Sequence, residues 1–350
     1  MDKHRLIDEA VARLGKCLAD VPFCALEPGA RSAGTTPEGP DWVGSFRVDG
    51  EEETVLLQAD TSGQPRRARE ATNALLRWNS LYPGAIRVFA APYVSPDAAE
   101  ILGRASIGYV DLSGNCRLSF DKVYIRIEGR PNKFVQRRDL RSLYSPKAER
   151  VLRILLSEPQ RGWKIKELAT TAGVSLGQAS NVKRLLEDRE WLQQREDGFG
   201  LTRPDRLLDE WSENYNYRKN ETRDYYSMDA ASQVETKLAS MCEELGLTYA
   251  VAGLSAAWRL APHVRYQRAM AYVPEVSDEL VNRVGLKPVS SGANVMLLVP
   301  YDEGVLAGSQ MIDGIRVTSP VQTYLDLRGF RGRGEEAAEA VLREVIKPTW

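Results

Sequence analysis

The pattern that most constrains the fold lies mid-chain, where three short helical periods run into a hairpin. Ser145-Pro146 opens a helix carrying Val151, Leu152, Ile154 and Leu155. Serine suits the N-cap, and proline suits the first helical position, whose N–H has no helical partner in any case. Ile165 to Ala172 reads as a second, shorter helix with Leu168 and Ala169 inward, and Gly173-Val174-Ser175 as a tight turn. Ser175 to Arg189 is a third helix, with Ser175 and Gln178 at capping-box spacing. Leu192 to Arg195 and Gly200 to Thr202 flank Glu196-Asp197-Gly198-Phe199 as a short hairpin. This is the order of a winged helix-turn-helix.

The third helix carries the chemistry. Val182, Leu185 and Leu186 pack inward, which leaves Gln178, Ser180, Asn181, Lys183 and Arg184 outward. Gln and Asn can pair with adenine and Arg with guanine in a major groove. Lys147 and Arg150 on the first helix, Arg195 in the hairpin and Arg203 just after it are candidates for phosphate contacts. Winged folds also serve as protein-binding modules, so a polar helix face alone leaves that alternative open.

Charge bears on the choice. The whole chain has 47 Lys+Arg against 48 Asp+Glu, a net charge of −1. From Arg117 to Arg153, however, eleven basic residues meet four acids, a net of +7. That stretch reads either as a solvated linker or as a source of the sequence-independent attraction that phosphate binding requires.

Length and composition bound the rest. With 350 residues, two or three domains are expected, and 43% hydrophobic residues exclude a wholly disordered chain. The four cysteines, Cys17, Cys24, Cys116 and Cys242, form no CxxC pair, and there are two histidines, so no metal and no cofactor is expected. No signal peptide is legible and no apolar run approaches the ~18 residues of a membrane span, so a cytoplasmic protein with reduced thiols is expected.

Both flanks read as mixed α/β. In the first, Arg5 to Leu18 is helical and Gly29 to Asp41 is a loop. Asp41 to Val48 and Thr54 to Gln58 form a strand pair, Pro65 to Asn79 a helix and Ile86 to Ala90 a strand. Ser95-Pro96 caps a helix to Arg104, Gly108 to Leu112 is a strand, and Cys116 to Ile127 is a closing hairpin. After the winged segment, Asp205 to Tyr217 is a helix and Asn214 to Tyr226 a connector. Helices follow at Val234 to Leu245, Asp278 to Val284, Ser319-Pro320 to Leu327 and Glu335 to Ile346. Strands are expected at Tyr249 to Ala252, Arg268 to Val273, Asn294 to Val299 and Ile315 to Val317.

Four stretches resemble AbiEi-family antitoxins of type IV toxin–antitoxin systems, in a long form with an extra N-terminal domain. They are Gly108 to Asn115, Leu143 to Ala148, Val174 to Lys183 and Arg328 to Gly334. The resemblance implies a repressor of its own operon that binds double-stranded DNA, with the toxin gene product regulated rather than bound. It also implies a C-terminal domain that is an inactive relative of nucleotidyltransferases. The expected architecture is therefore α/β multi-domain. A degenerate restriction-endonuclease-like domain spans 1–142, a winged helix-turn-helix 143–212 and a degenerate nucleotidyltransferase-like domain 213–350. A homodimer on a two-fold operator is the common arrangement for such folds, although no dimerisation helix is legible.

Three rival readings remain. A Mg²⁺-dependent nuclease would need an acid followed by an acid-x-Lys on the next strand. The corresponding stretch is Leu56-Leu57-Gln58-Ala59-Asp60, with Gln58 in place of the second acid and Asp41 as the upstream carboxylate. Nucleotidyl transfer would use Gly253-Leu254-Ser255 with two carboxylates on the next strand. That strand, Arg268 to Val273, has none, and Asp302 and Glu303 come later. No catalytic residue is therefore expected. His263 reads as a helix-end or core residue, and Arg328 to Gly334 as a loop or a phosphate grip. A protein-interaction scaffold is the third alternative.

Overall fold

A computed structural model describes residues 2–21, 24–27, 39–48, 50–134, 143–330 and 332–350. Asp139, Arg137, Arg138 and Arg141 of the basic stretch, Arg331, and most of the expected 29–41 loop lie outside these. The chain divides into two compact units, Met1–Arg137 with Leu186–Glu190, and Arg138–Leu185 with Trp191–Trp350. Each is mixed α/β.

The first unit holds one seven-stranded sheet whose strands lie in chain order. They are β1 (Cys24–Glu27), β2 (Trp42–Val48), β3 (Glu51–Ala59), β4 (Ile86–Ala91), β5 (Gly108–Asp111), β6 (Cys116–Phe120) and β7 (Val123–Ile127). The β3–β4 and β4–β5 pairs are parallel and the others antiparallel. Parallel neighbours need crossovers, which α2 (Pro65–Arg77) and α3 (Pro96–Arg104) supply.

Alternation along the strands builds two cores. Val55, Leu57, Val88, Ala90 and Val110 pack with Leu6, Leu14 and Leu18 of α1 (Lys3–Ala19). Leu56, Phe89, Ala91 and Tyr109 point the other way, onto Ala68, Leu75, Ala98 and Leu102 of α2 and α3. The Ser95 Oγ accepts from the Ala98 N–H at 3.3 Å, as the N-cap reading requires. The β1 strand has no signal of its own in the sequence.

The second unit begins with α4 (Pro146–Ser157), α5 (Ile165–Thr171) and α6 (Leu176–Asp188, in this unit up to Leu185), then the hairpin β8 (Leu192–Arg195) and β9 (Gly198–Leu201) and α7 (Pro204–Asn214). Its sheet joins β10 (Glu221–Tyr226), β11 (Ala250–Val251), β12 (Ala269–Tyr272), β13 (Lys287–Pro288), β14 (Val295–Val299), β15 (Gln310–Ile312) and β16 (Ile315–Val317). The strand order is β13-β10-β14-β12-β11-β16-β15. The helices are α8 (Ala231–Glu244), α9 (Gly253–Leu260), α10 (Asp278–Val284), α11 (Pro320–Arg328) and α12 (Arg333–Val341). Val234, Leu238 and Cys242 of α8 and Leu280 and Val284 of α10 pack on Ala269, Ala271, Val295, Leu297 and Val317.

One element departs from the sequence reading. Residues 221–226 form a strand, not a connector. They pair antiparallel with the apolar β14 along five residues, Glu221↔Val299 through Tyr225↔Val295. All but Tyr225 are exposed, so the strand shows no apolar alternation. Among the described residues, no helix is long and apolar enough to cross a membrane.

Candidate nucleic-acid interface

The α4–α6 segment forms around two tight approaches. Gly173, at φ +60, makes the left-handed turn between α5 and α6. The Ser175 Oγ then accepts from the Gln178 N–H at 3.2 Å and satisfies one of the first-turn donors of α6. Between α4 and α5, Trp163 pairs with Phe199 of β9. The Trp163 N–H donates to the Phe199 carbonyl at 2.8 Å, and the Phe199 N–H donates back at 3.0 Å. A Cβ on Gly198 would lie 2.2 Å from the Trp163 carbonyl oxygen, so only glycine fits there. Trp163 is buried, as are Val151, Leu152, Leu168, Val182 and Leu185.

The α6 positions fall where the helical period puts them. Ser180 and Arg184 are exposed, and Gln178, Asn181 and Lys183 are half-buried. An Arg184 Nη2–H donates to the Asn181 Oδ1 at 3.1 Å. The Lys183 ammonium lies 5.1 Å from the centre of the Phe199 ring, against β9.

The expected phosphate contacts divide. Lys147 is exposed, with its Nζ 3.9 Å from Asp302. Arg150 is almost buried and holds Asp302 at 2.6 and 2.9 Å and Glu303 at 2.9 Å. Arg195 donates to the carbonyls of Pro159, Gln160 and Leu201, and so ties the hairpin to the end of α4. Arg203 pairs with Asp205 at 3.0 Å. Of the four, then, Arg150 and Arg195 are committed to protein partners far along the chain, whereas Arg203 makes a surface pair two residues away. A count of charges along the chain could not register this, because the partner of Arg150 lies 152 residues away.

Asp302 is held below its ordinary carboxylate range. Burial opposes its charge, but the Arg150 guanidinium and the Gly304 N–H outweigh that. It is thus a salt-bridge partner that also caps a short 3-10 turn, Glu303–Leu306.

The inner face of α4 carries a polar network that periodicity does not reveal. Arg153 is fully buried, stacks 5.0 Å from the Trp211 ring and donates to the Gln322 Oε1 at 2.7 and 3.1 Å. Glu149, also buried, accepts from the Tyr301 hydroxyl. The Gln322 Nε2–H donates to Tyr215 and to Asp326, at 2.8 and 2.9 Å. Asp326 further accepts from the hydroxyls of Tyr215 and Tyr272, at 2.9 and 2.8 Å. Burial raises Asp326 to about 7 in spite of these donors. This network fastens α4 to α11 and the sheet of the second unit. In the sequence, Glu149 and Arg153 register only as charges, because their partners Tyr301 and Gln322 lie far along the chain.

The residues weighed for catalysis have partners within the protein. The Gln58 Nε2–H donates to the Asp41 Oδ2 at 2.7 Å, the Ala59 N–H donates to the same oxygen at 2.8 Å, and Lys3 pairs with Asp41 Oδ1 at 2.8 Å. An amide and an ammonium thus occupy the surroundings of the one upstream carboxylate. Asp60 accepts from the Ser62 N–H at 2.8 Å, and burial raises its carboxyl above the ordinary range. Ser255 is fully buried, and its Oγ accepts from the Met270 N–H at 3.3 Å. The neighbouring strand, Ala269–Tyr272, is buried throughout. His263 is exposed, 3.7 Å from Glu336.

The Gly108 to Asn115 motif is a self-satisfied turn. Buried Asp111 accepts from the N–H groups of Gly114 and Asn115 and from the Asn115 side chain, each at 2.8 Å. Asn115 in turn pairs with both backbone groups of Arg130. Of Arg328 to Gly334, Arg328 ends α11 and Arg333-Gly334 open α12, with Arg331 outside the described residues.

The arrangement is that of a chain with a polar helix face beside a hairpin, mounted on a mixed α/β unit. Residues 200–347 match the family of AbiEi antitoxins, the transcriptional regulators of type IV toxin–antitoxin systems. The C-terminal part of the chain is thus similar to that family. The matched span begins in β9 and leaves α4 to α6 outside it. No protein of curated function and no solved structure matches the chain.

Proposed function

We propose that this protein is a sequence-specific, double-stranded-DNA-binding repressor that acts as an antitoxin and controls its own operon. The observation that carries the reading is the α5–turn–α6–hairpin arrangement, with Gln178, Ser180, Asn181, Lys183 and Arg184 along one helix, directly preceding a segment matched by a family of transcriptional regulators. In this reading residues 143–212 are a winged helix-turn-helix, and α6 enters the major groove. Asn181 and Gln178 suit adenine, and Arg184 suits guanine. Lys147, Lys183 and the exposed Arg203 supply charge to phosphate, while Arg195 ties the hairpin to the end of α4 and Arg150 ties α4 to Asp302 and Glu303.

The flanking domains, 1–142 and 213–350, are retired nuclease-like and nucleotidyltransferase-like folds on this account, and the protein works without catalysis. The Gln58–Asp41 hydrogen bond and the carboxylate-free strand beside Ser255 support that. A homodimer on a two-fold operator completes the proposal. Titration of DNA from upstream of the gene, at two salt concentrations, tests it. Specific binding that weakens steeply with salt supports the reading, and salt-insensitive or absent binding refutes it.

A further inference from the structure

The first unit contains a cavity of about 410 Å³ beside β5, β6 and α3, within the ordinary size range of small-molecule sites. Tyr93, Val94, Ala99, Tyr109, Arg117 and Arg130 line it. Its wall is a cross-strand row. Tyr109 lies directly opposite Arg117, and Arg117 directly opposite Arg126. Residues so paired share one sheet face, and like charges placed that way repel each other.

The charges around the cavity are only partly neutralised from within. Arg126 takes Glu128 at 2.8 Å, and Glu100 at the rim takes Arg104. Among the described residues, the guanidinium groups of Arg117 and Arg130 have no hydrogen-bond or ion-pair partner. Neither do the hydroxyls of Tyr93 and Tyr109, whose phenols burial keeps in the neutral, proton-donating form. Two glycines leave the room that the arginines occupy. A Cβ on Gly103 would lie 2.4 Å from the Arg117 Nη1, and one on Gly114 would lie 2.8 Å from the Arg130 Cδ.

We propose that this cavity binds a small phosphorylated molecule of nucleoside-monophosphate size. The Arg117 and Arg130 guanidiniums would take its phosphate, whose two negative charges suit a pair of forked donors. The faces of Tyr93 and Tyr109, with Val94 and Ala99, would take its apolar or aromatic body. The site is separate from α6 and does not depend on the DNA-binding reading.

Isothermal titration of the full-length protein with AMP, CMP, adenosine and inorganic phosphate tests it. The expected result is saturable binding of a nucleotide, with adenosine and phosphate alone each weaker by about tenfold or more. Arg117→Gln and Arg130→Gln should each weaken that binding by about tenfold with an unchanged melting profile. Lys183→Ala/Arg184→Ala should leave it intact. Absence of saturable binding by either nucleotide, undiminished binding in both arginine variants, or loss of binding in the α6 variant would overturn the proposal.

Discussion

The Arg150 guanidinium is gripped by both carboxylate oxygens of Asp302, at 2.6 and 2.9 Å, which turns a helix-face arginine into a brace. Sequence position alone makes it a phosphate contact. The two roles separate experimentally. Arg150→Ala should lower the melting temperature, with a loss of about 2–4 kcal/mol, since it strands a largely buried carboxylate. It should leave the salt slope of DNA binding unchanged. Lys147→Ala, at an exposed position, should leave stability alone and reduce that slope by about one.

Asp326 gives stability a pH dependence of defined sign. Its carboxyl sits near 7 in the folded protein and near 4 when unfolded, so the folded state binds the proton more tightly between those values. Its contribution is fully present below about pH 4 and is lost as pH rises through about 7. Unfolding of the wild-type protein and of Asp326→Asn, measured from about pH 5 to about pH 8.5, should show a slope that the variant lacks. Equal slopes would count against the buried placement of this residue.

The hairpin depends on Gly198. Gly198→Ala places a methyl group against the Trp163 carbonyl oxygen and should cost more than about 2 kcal/mol, read as a lower urea midpoint. Gly177→Ala, with nothing within 4 Å and an α6 backbone, should instead gain about 0.5–1 kcal/mol. Similar effects at both positions would contradict the described approach of β9 to Trp163.

The first unit should not cut DNA. Plasmid incubated with the protein and Mg²⁺ or Mn²⁺ should remain intact. Gln58→Glu should lower stability by about 1–3 kcal/mol, since it replaces an amide donor with a second acceptor against Asp41. Metal-dependent cleavage by the wild type would revive the enzyme reading.

The legible parts of the fold are those governed by local chemistry. Ser95-Pro96 and Ser319-Pro320 announce helix starts, and both serine hydroxyls accept from the expected backbone N–H. Apolar runs such as Val295–Val299 announce buried strands. The strand at 221–226 is illegible because its order comes from β14, not from its own side chains. The α6 face can be read because helical period fixes which residues share it. The roles of Arg150, Arg153 and Glu149 cannot, because Asp302, Gln322 and Tyr301 reach them only through tertiary folding.

The central claim rests on α6, and a gel shift on the DNA upstream of the gene tests it most directly. Wild-type protein should give a discrete complex that survives competitor DNA. Lys183→Ala/Arg184→Ala, confirmed as folded by its melting profile, should weaken the complex by about a hundredfold or more. An unchanged affinity in that variant would show that α6 does not read DNA.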